Sequence, residues 1–122
     1  MAGLRIIRAG LLALVCHGFA GSALAHAIVL ESVPRAGATI AAPRLEVVIR
    51  FSSRIDRARS HLALIAADGK ERSLELLSDT APDLLRANLA GLVAGRYRLR
   101  WQVLALDGHI TRGDIPFTVA AP

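Results

Sequence analysis

Apolar and polar positions alternate with a period of two along most of the chain beyond residue 26, the mark of strands with one buried face. Leu45, Val47, Ile49 and Phe51 alternate with Glu46, Val48 and Arg50. Tyr97, Leu99, Trp101 and Val103 alternate with Arg98, Arg100 and Gln102, and Ile115, Phe117 and Val119 carry the rhythm through a last strand. Ala27 to Ser32 is a shorter run, ended by Pro34 and Gly37. Leu62 to Ala66 leads into Asp68-Gly69, a strong hairpin signal, with Lys70 to Leu77 as the return strand and Leu85 to Leu89 as a further short one. Helix competes only over Ser78 to Leu85. About seven short strands predict an all-β fold: a single Greek-key β-sandwich of the immunoglobulin-like kind. Pro116, inside the last run, predicts an edge position or a bulge there, because proline has no N–H for the ladder.

The first 25 residues break this pattern. Arg5 and Arg8 precede an apolar stretch from Ala9 to Cys16, and Ala23-Leu24-Ala25 has the small-x-small form that signal peptidase accepts. An uncleaved anchor is the alternative. The stretch is short for a span of about 20 residues, and His17, Gly18, Gly21 and Ser22 interrupt it. Lipidation at Cys16 is disfavoured by Val15, where a small residue is usual. The expectation is a cleaved secretory signal over residues 1–25 and an exported, mature domain over 26–122.

Cleavage changes the composition that matters. The formal charge falls from +5 to +3, since Arg5 and Arg8 leave 13 basic residues against 10 acidic ones. Removing 25 of 122 residues leaves 97, one domain stabilised by its core alone, because the one cysteine, Cys16, and the one methionine, Met1, are both lost. A single cysteine also excludes an intramolecular disulfide and a CxxC zinc site. Aromatic residues at 4% exclude a stacking platform for nucleic acid.

Three histidines remain: His26, His61 and His109. Cleavage makes His26 the first residue. A terminal histidine can chelate a metal through its α-amine and Nδ1 together, which no internal histidine can do. The α-amine titrates near 7.7–8.0, so a metal displaces its proton at neutral pH. The default for a chain terminus is to fray. Asp107-Gly108-His109 follows the strand ending at Val103, and there a carboxylate and an imidazole can converge on one ion. An ordinary Asp-Gly turn is the plainer reading, as at Asp68-Gly69. Together the two features offer one amine, two imidazoles and one carboxylate. That set suits Cu(II), and Zn(II) could use it tetrahedrally. Cu(I) prefers sulfur, which the mature chain lacks. Spacing alone does not show whether His26 lies near Asp107 and His109.

Three segments resemble the CopC family of periplasmic copper-binding proteins. HAIVLESVPRAGATIAAP is similar to the family's opening, a first histidine followed by a Pro-x-x-Gly turn. LEVVIRFS is similar to its second strand, and YRLRWQVLALDGHITRGDIPFTV to its closing block, with Trp101, Asp107, Gly108, His109, Gly113 and Phe117 at matching places. The resemblance implies a cupredoxin-like Greek-key sandwich binding one Cu(II) ion through His26, Asp107 and His109. It also implies an inner-membrane partner of the CopD type. Many relatives have a methionine-rich Cu(I) site; with no methionine after Met1, this chain resembles the Cu(II)-only branch. Relatives often carry an acidic residue just after the Phe-Ser of that strand, where this chain has Ser53, and Arg54 beside it opposes a cation.

His61 reads as a surface histidine, Trp101 as core, and Arg96, Arg98 and Arg100 as a solvated face. Arg54, Arg57 and Arg59 form a basic cluster whose alternative reading is docking to anionic headgroups or an acidic partner. The expectation is a monomeric copper carrier without turnover and without nucleic acid. A copper-dependent oxygenase would use a similar terminal-histidine chelate, but it needs open coordination positions and an aromatic substrate face. A metal-free sandwich is the third class.

Overall fold

The computed structural model describes Gly3 and residues 27–122, so the expected export signal apart from Gly3, its cleavage site and His26 lie outside the described residues. Among the described residues no helix is long and apolar enough to cross a membrane.

Eight strands form two facing sheets. The smaller sheet has β1 (Val29–Val33), β3 (Leu45–Phe51) and β6 (Leu84–Leu89), in the order β1-β3-β6. The larger has β2 (Ala38–Ile40), β4 (Ile55–Ala66), β5 (Glu71–Ser73), β7 (Gly95–Ala105) and β8 (Ile110–Val119), in the order β2-β8-β7-β4-β5. The all-β sandwich expected from the alternation is what forms. The strand beyond the expected seven is β2, three residues paired parallel to the end of β8.

The alternation explains the core. Val47, Ile49 and Phe51 of β3 are buried while Glu46 is exposed and Val48 and Arg50 are partly so. From the facing sheet Leu99, Trp101, Val103, Ile115 and Phe117 meet them. Burying each large side chain stabilises the fold by about 1.5–3 kcal/mol, so this interface holds the sheets together. Phe51 and Trp101 meet edge to face at 5.2 Å, and Tyr97 stacks on Phe117 at 5.5 Å.

Four details depart from the sequence reading. First, β8 is not an edge strand: it lies between β2 and β7. Pro116 fits there because its carbonyl accepts from Gly37 N at 2.7 Å on the β2 side, where its ring nitrogen also points, so β7 requires no donor from it. Second, β4 begins at Ile55 rather than Leu62 and carries a bulge between Asp56 and His61. Buried Ser60 spans that bulge: its hydroxyl donates to Asp56 O at 2.6 Å and accepts from Leu104 N at 3.3 Å. Third, the return strand after Asp68-Gly69 stops at Ser73 instead of Leu77. Leu74 N still bonds Leu62 O in one sheet, but Leu77 N bonds Arg86 O in the other, so the segment crosses between sheets. Fourth, 78–83 form bends and turns, and Leu84 and Leu85 open β6, so the competing helix over Ser78 to Leu85 is absent.

Candidate metal centre

Asp107 and His109 sit in the β7–β8 hairpin. Ala105 N donates to His109 O and Gly108 N to Ala105 O, each at 2.9 Å, closing a three-residue loop. Gly108 takes φ +88°, the left-handed position such a loop requires and only glycine adopts cheaply. The Asp68 turn is built the same way: Ala66 N bonds Lys70 O, Gly69 N bonds Ala66 O, and Gly69 has φ +84°. In both, the aspartate side chain accepts from the backbone N–H two residues on, at 2.9 Å in Lys70 and 3.0 Å in His109. The two turns share a backbone and differ in chemistry only through the residue after glycine.

That residue sets the second turn apart. His109 Nδ1 donates to Asp107 Oδ2 at 2.9 Å. An ionised carboxylate only accepts, so Nδ1 carries the ring proton when the imidazole is neutral, and Nε2 is the basic nitrogen. A carboxylate that orients an imidazole in this way is the usual outer support of a metal-bound histidine. Each carboxylate oxygen keeps a second lone pair, so the donor set also permits direct ligation by Asp107. The pair is half exposed, with side-chain exposures of 29% for Asp107 and 58% for His109, so an ion can reach it. Among the described residues no three histidine, cysteine, aspartate or glutamate side chains come close enough to hold a metal.

The start of the described domain lies beside this hairpin. Ala27 is 1% exposed and belongs to the core, and its carbonyl accepts from Thr111 Oγ1 at 2.9 Å. Ile28 N donates to Ser52 Oγ at 3.0 Å, and Ser52 N donates to Ile28 O at 2.8 Å. Ser52 ends the β3 run in one sheet and Thr111 lies near the start of β8 in the other. Two backbone residues thus bridge the sandwich, 84 positions before a threonine that follows His109 by two.

The remaining candidates fall elsewhere. His61 is exposed on the outer face of β4 opposite Gln102, two residues along β7 from the Leu104–Ile110 pair that leads to the turn. Arg98 and Arg100 both pair with Asp114 at 3.0 Å on that outer face. The Arg100 hydrogen bond, followed by its charge, holds the Asp114 carboxyl below the usual range and raises Arg100. Ser53 Oγ is buried without a hydrogen-bond partner among the described residues, and Arg54 is exposed. A cleft of about 460 Å³ lined by Ile65, Arg96, Tyr97 and Pro116 lies toward the other end of β7 and includes neither Asp107 nor His109. The sequence reading missed Ser52 and Thr111. Thr111 was accessible to it, since 111, 113 and 115 share the inward parity of the last strand.

Comparison with known proteins agrees with this architecture. The family model of the CopC domain matches residues 29–120. CopC from Methylosinus trichosporium OB3b superposes with a TM-score of 0.71 at 28% identity, covering 79% of this chain and 95% of that one. PcoC from Escherichia coli, a methionine-rich copper resistance protein, gives 0.65 at 25% identity, covering 78% and 99%. The Lin-41 filamin domain shares the fold alone, at 10% identity and a TM-score of 0.52. No curated protein matches the chain in sequence. With the family model matching three quarters of its length and a shared two-sheet architecture, the chain belongs to the CopC family.

Proposed function

We propose that the chain is a periplasmic copper-binding protein that carries or buffers one Cu(II) ion without catalytic turnover. In this reading export removes residues 1–25 and exposes the α-amine of His26. That amine and the His26 imidazole chelate the ion, and His109 and Asp107 complete the set. The observation that supports this most is the hydrogen bond from Thr111 to the Ala27 carbonyl, which ties the chain next to residue 26 to the strand that follows His109. Copper enters the reading from the relatives, one of which is a copper resistance protein. The oxidation state enters from composition: no methionine follows Met1 and no cysteine follows Cys16, so the mature chain has no sulfur for Cu(I). A half-exposed pair in a hairpin turn suits an ion that arrives and leaves, and an inner-membrane protein of the CopD type is the partner with which a monomer exchanges it.

The test is a Cu(II) titration of the exported chain, with intact mass to fix its first residue and electron paramagnetic resonance to read the ligands. One equivalent bound with a tetragonal, nitrogen-rich spectrum, on a chain beginning at His26, is the expected result. No tight binding by a chain that does begin at His26 rejects the reading.

A further inference from the structure

We infer that Ser52 and Thr111 are positioning residues for the terminal chelate: by clamping the backbone of Ala27 and Ile28 from both sheets, they fix the chain from which that chelate extends. The inference rests on the copper reading above.

The reason is entropic. A chain terminus ordinarily frays, and a ligand on a frayed segment must be ordered when the metal binds. Each backbone residue fixed at that moment reduces affinity, whereas residues fixed by the fold do not. Here three hydrogen bonds fix two residues. Thr111 Oγ1 holds Ala27 O at 2.9 Å, Ser52 Oγ holds Ile28 N at 3.0 Å, and Ser52 N holds Ile28 O at 2.8 Å. The two sides are not redundant. Ser52 extends the β1–β3 pairing by one rung beyond Val29 and Phe51. Thr111 belongs to the strand that carries the metal turn. Ala27 itself is in the core at 1% exposure, so the clamp closes over a buried side chain. Neither hydroxyl is required to touch the ion. Both act through the backbone that delivers it a ligand.

The experiment is a double-mutant cycle on the processed chain, read by Cu(II) affinity in a competition titration. Thr111→Val keeps the branched shape and removes the donor; Ser52→Ala removes the acceptor. Each should weaken Cu(II) by roughly 10–100-fold, the range found when outer supports of a metal site are lost. Thr111→Ser should restore most of the affinity. The same two substitutions are then placed in a chain carrying one extra residue before His26, where the amine chelate is blocked. There they should change affinity much less, because the amine half of the chelate is no longer there to be positioned. Tyr97→Phe serves as a stability control, losing the bond from Tyr97 Oη to Val93 O at 2.7 Å far from the turn, and should leave affinity unchanged.

If Thr111→Val and Ser52→Ala bind as tightly as the parent, the clamp does not position the chelate. If they weaken the extended chain as much as the parent, their effect is general and the inference fails as well. A different result isolates the underlying reading. A parent chain that does not bind Cu(II), or whose binding ignores the extra residue, overturns the copper site and the inference with it.

Discussion

Thr111 donates from Oγ1 to the carbonyl of Ala27 at 2.9 Å, across 84 residues of chain. Ala27 is 1% exposed, so the carbonyl has no ready substitute partner in water. Leaving it unpaired costs about 1–3 kcal/mol. This bond joins the first described residues of the domain to the strand leaving the Asp107–His109 turn. It makes a site assembled from the two ends of the chain sterically reasonable.

Adding one residue before His26 converts the α-amine to an amide and removes the chelate. Cu(II) affinity should then fall by more than the roughly 10–100-fold expected for losing an outer support. His61→Ala should have no effect, because His61 faces outward from β4 opposite Gln102. Competition titrations of both variants check this; equal losses would reject the site.

His109→Ala removes a nitrogen ligand and should weaken Cu(II) strongly and change the nitrogen hyperfine pattern. Asp107→Ala should weaken it as well, since Oδ2 holds Nδ1 of His109 at 2.9 Å. Asp107→Asn keeps an acceptor for His109 N, 3.0 Å from Oδ1, but puts an NH2 where Oδ2 accepts from Nδ1. It therefore loses both the charge and the bond that orients the imidazole, and it should weaken Cu(II) about as much as Asp107→Ala. Affinity equal to that of the parent would remove the carboxylate from the site.

Cu(II) loading should weaken as pH falls. The ligands bind deprotonated, so protons compete with the metal for the imidazoles and for the terminal amine, which takes up its proton near 7.7–8.0. Affinity measured between pH 8 and pH 5 should decline steadily, and the extended chain, which has lost the amine ligand, should show a shallower decline above pH 7.

Fold stability should show a separate acid limb from Asp114. Its carboxyl lies below the ordinary range, first through the hydrogen bond from Arg100. The unfolded chain therefore binds a proton more readily, so the contribution is present above the unfolded value near 3.9 and lost as pH falls through the lower folded value. Asp114 is 30% exposed in its side chain, so the contribution is small. Asp114→Asn should flatten the loss of stability below pH 4 in denaturant titrations; an unchanged slope would show that other carboxylates carry it.

Gly113→Ala should destabilise the sandwich by about 1–3 kcal/mol through overpacking. Gly113 pairs with Trp101 across the β7–β8 ladder, and an added Cβ would lie 2.6 Å from Cζ2 of the indole. The ring cannot retreat easily, because it packs on Phe51 at 5.2 Å. Thermal unfolding followed by Trp101 fluorescence measures the effect.

Residue order alone determined the strands and their faces. The period-two alternation of Leu45–Phe51 and Tyr97–Val103 fixes which side chains are buried, because a strand offers opposite faces to successive residues. It also marked both Asp-Gly turns, since each needs one left-handed residue and glycine supplies it. The donor types at His26, Asp107 and His109 were equally legible, being properties of the side chains.

Tertiary structure decided what those rules leave open. Local pattern could not foresee that β2 would pair parallel with β8 and enclose Pro116, because a three-residue strand has no periodicity to read. Nor could it give the length of β4, whose polar first half is held by Ser60 bridging Asp56 and Leu104 rather than by alternation. The two Asp-Gly turns look alike in sequence and share a backbone; only the fold sets one of them beside the strand that Thr111 ties to Ala27. That proximity is a long-range contact, fixed by how the two sheets close on each other, and no spacing along the chain encodes it.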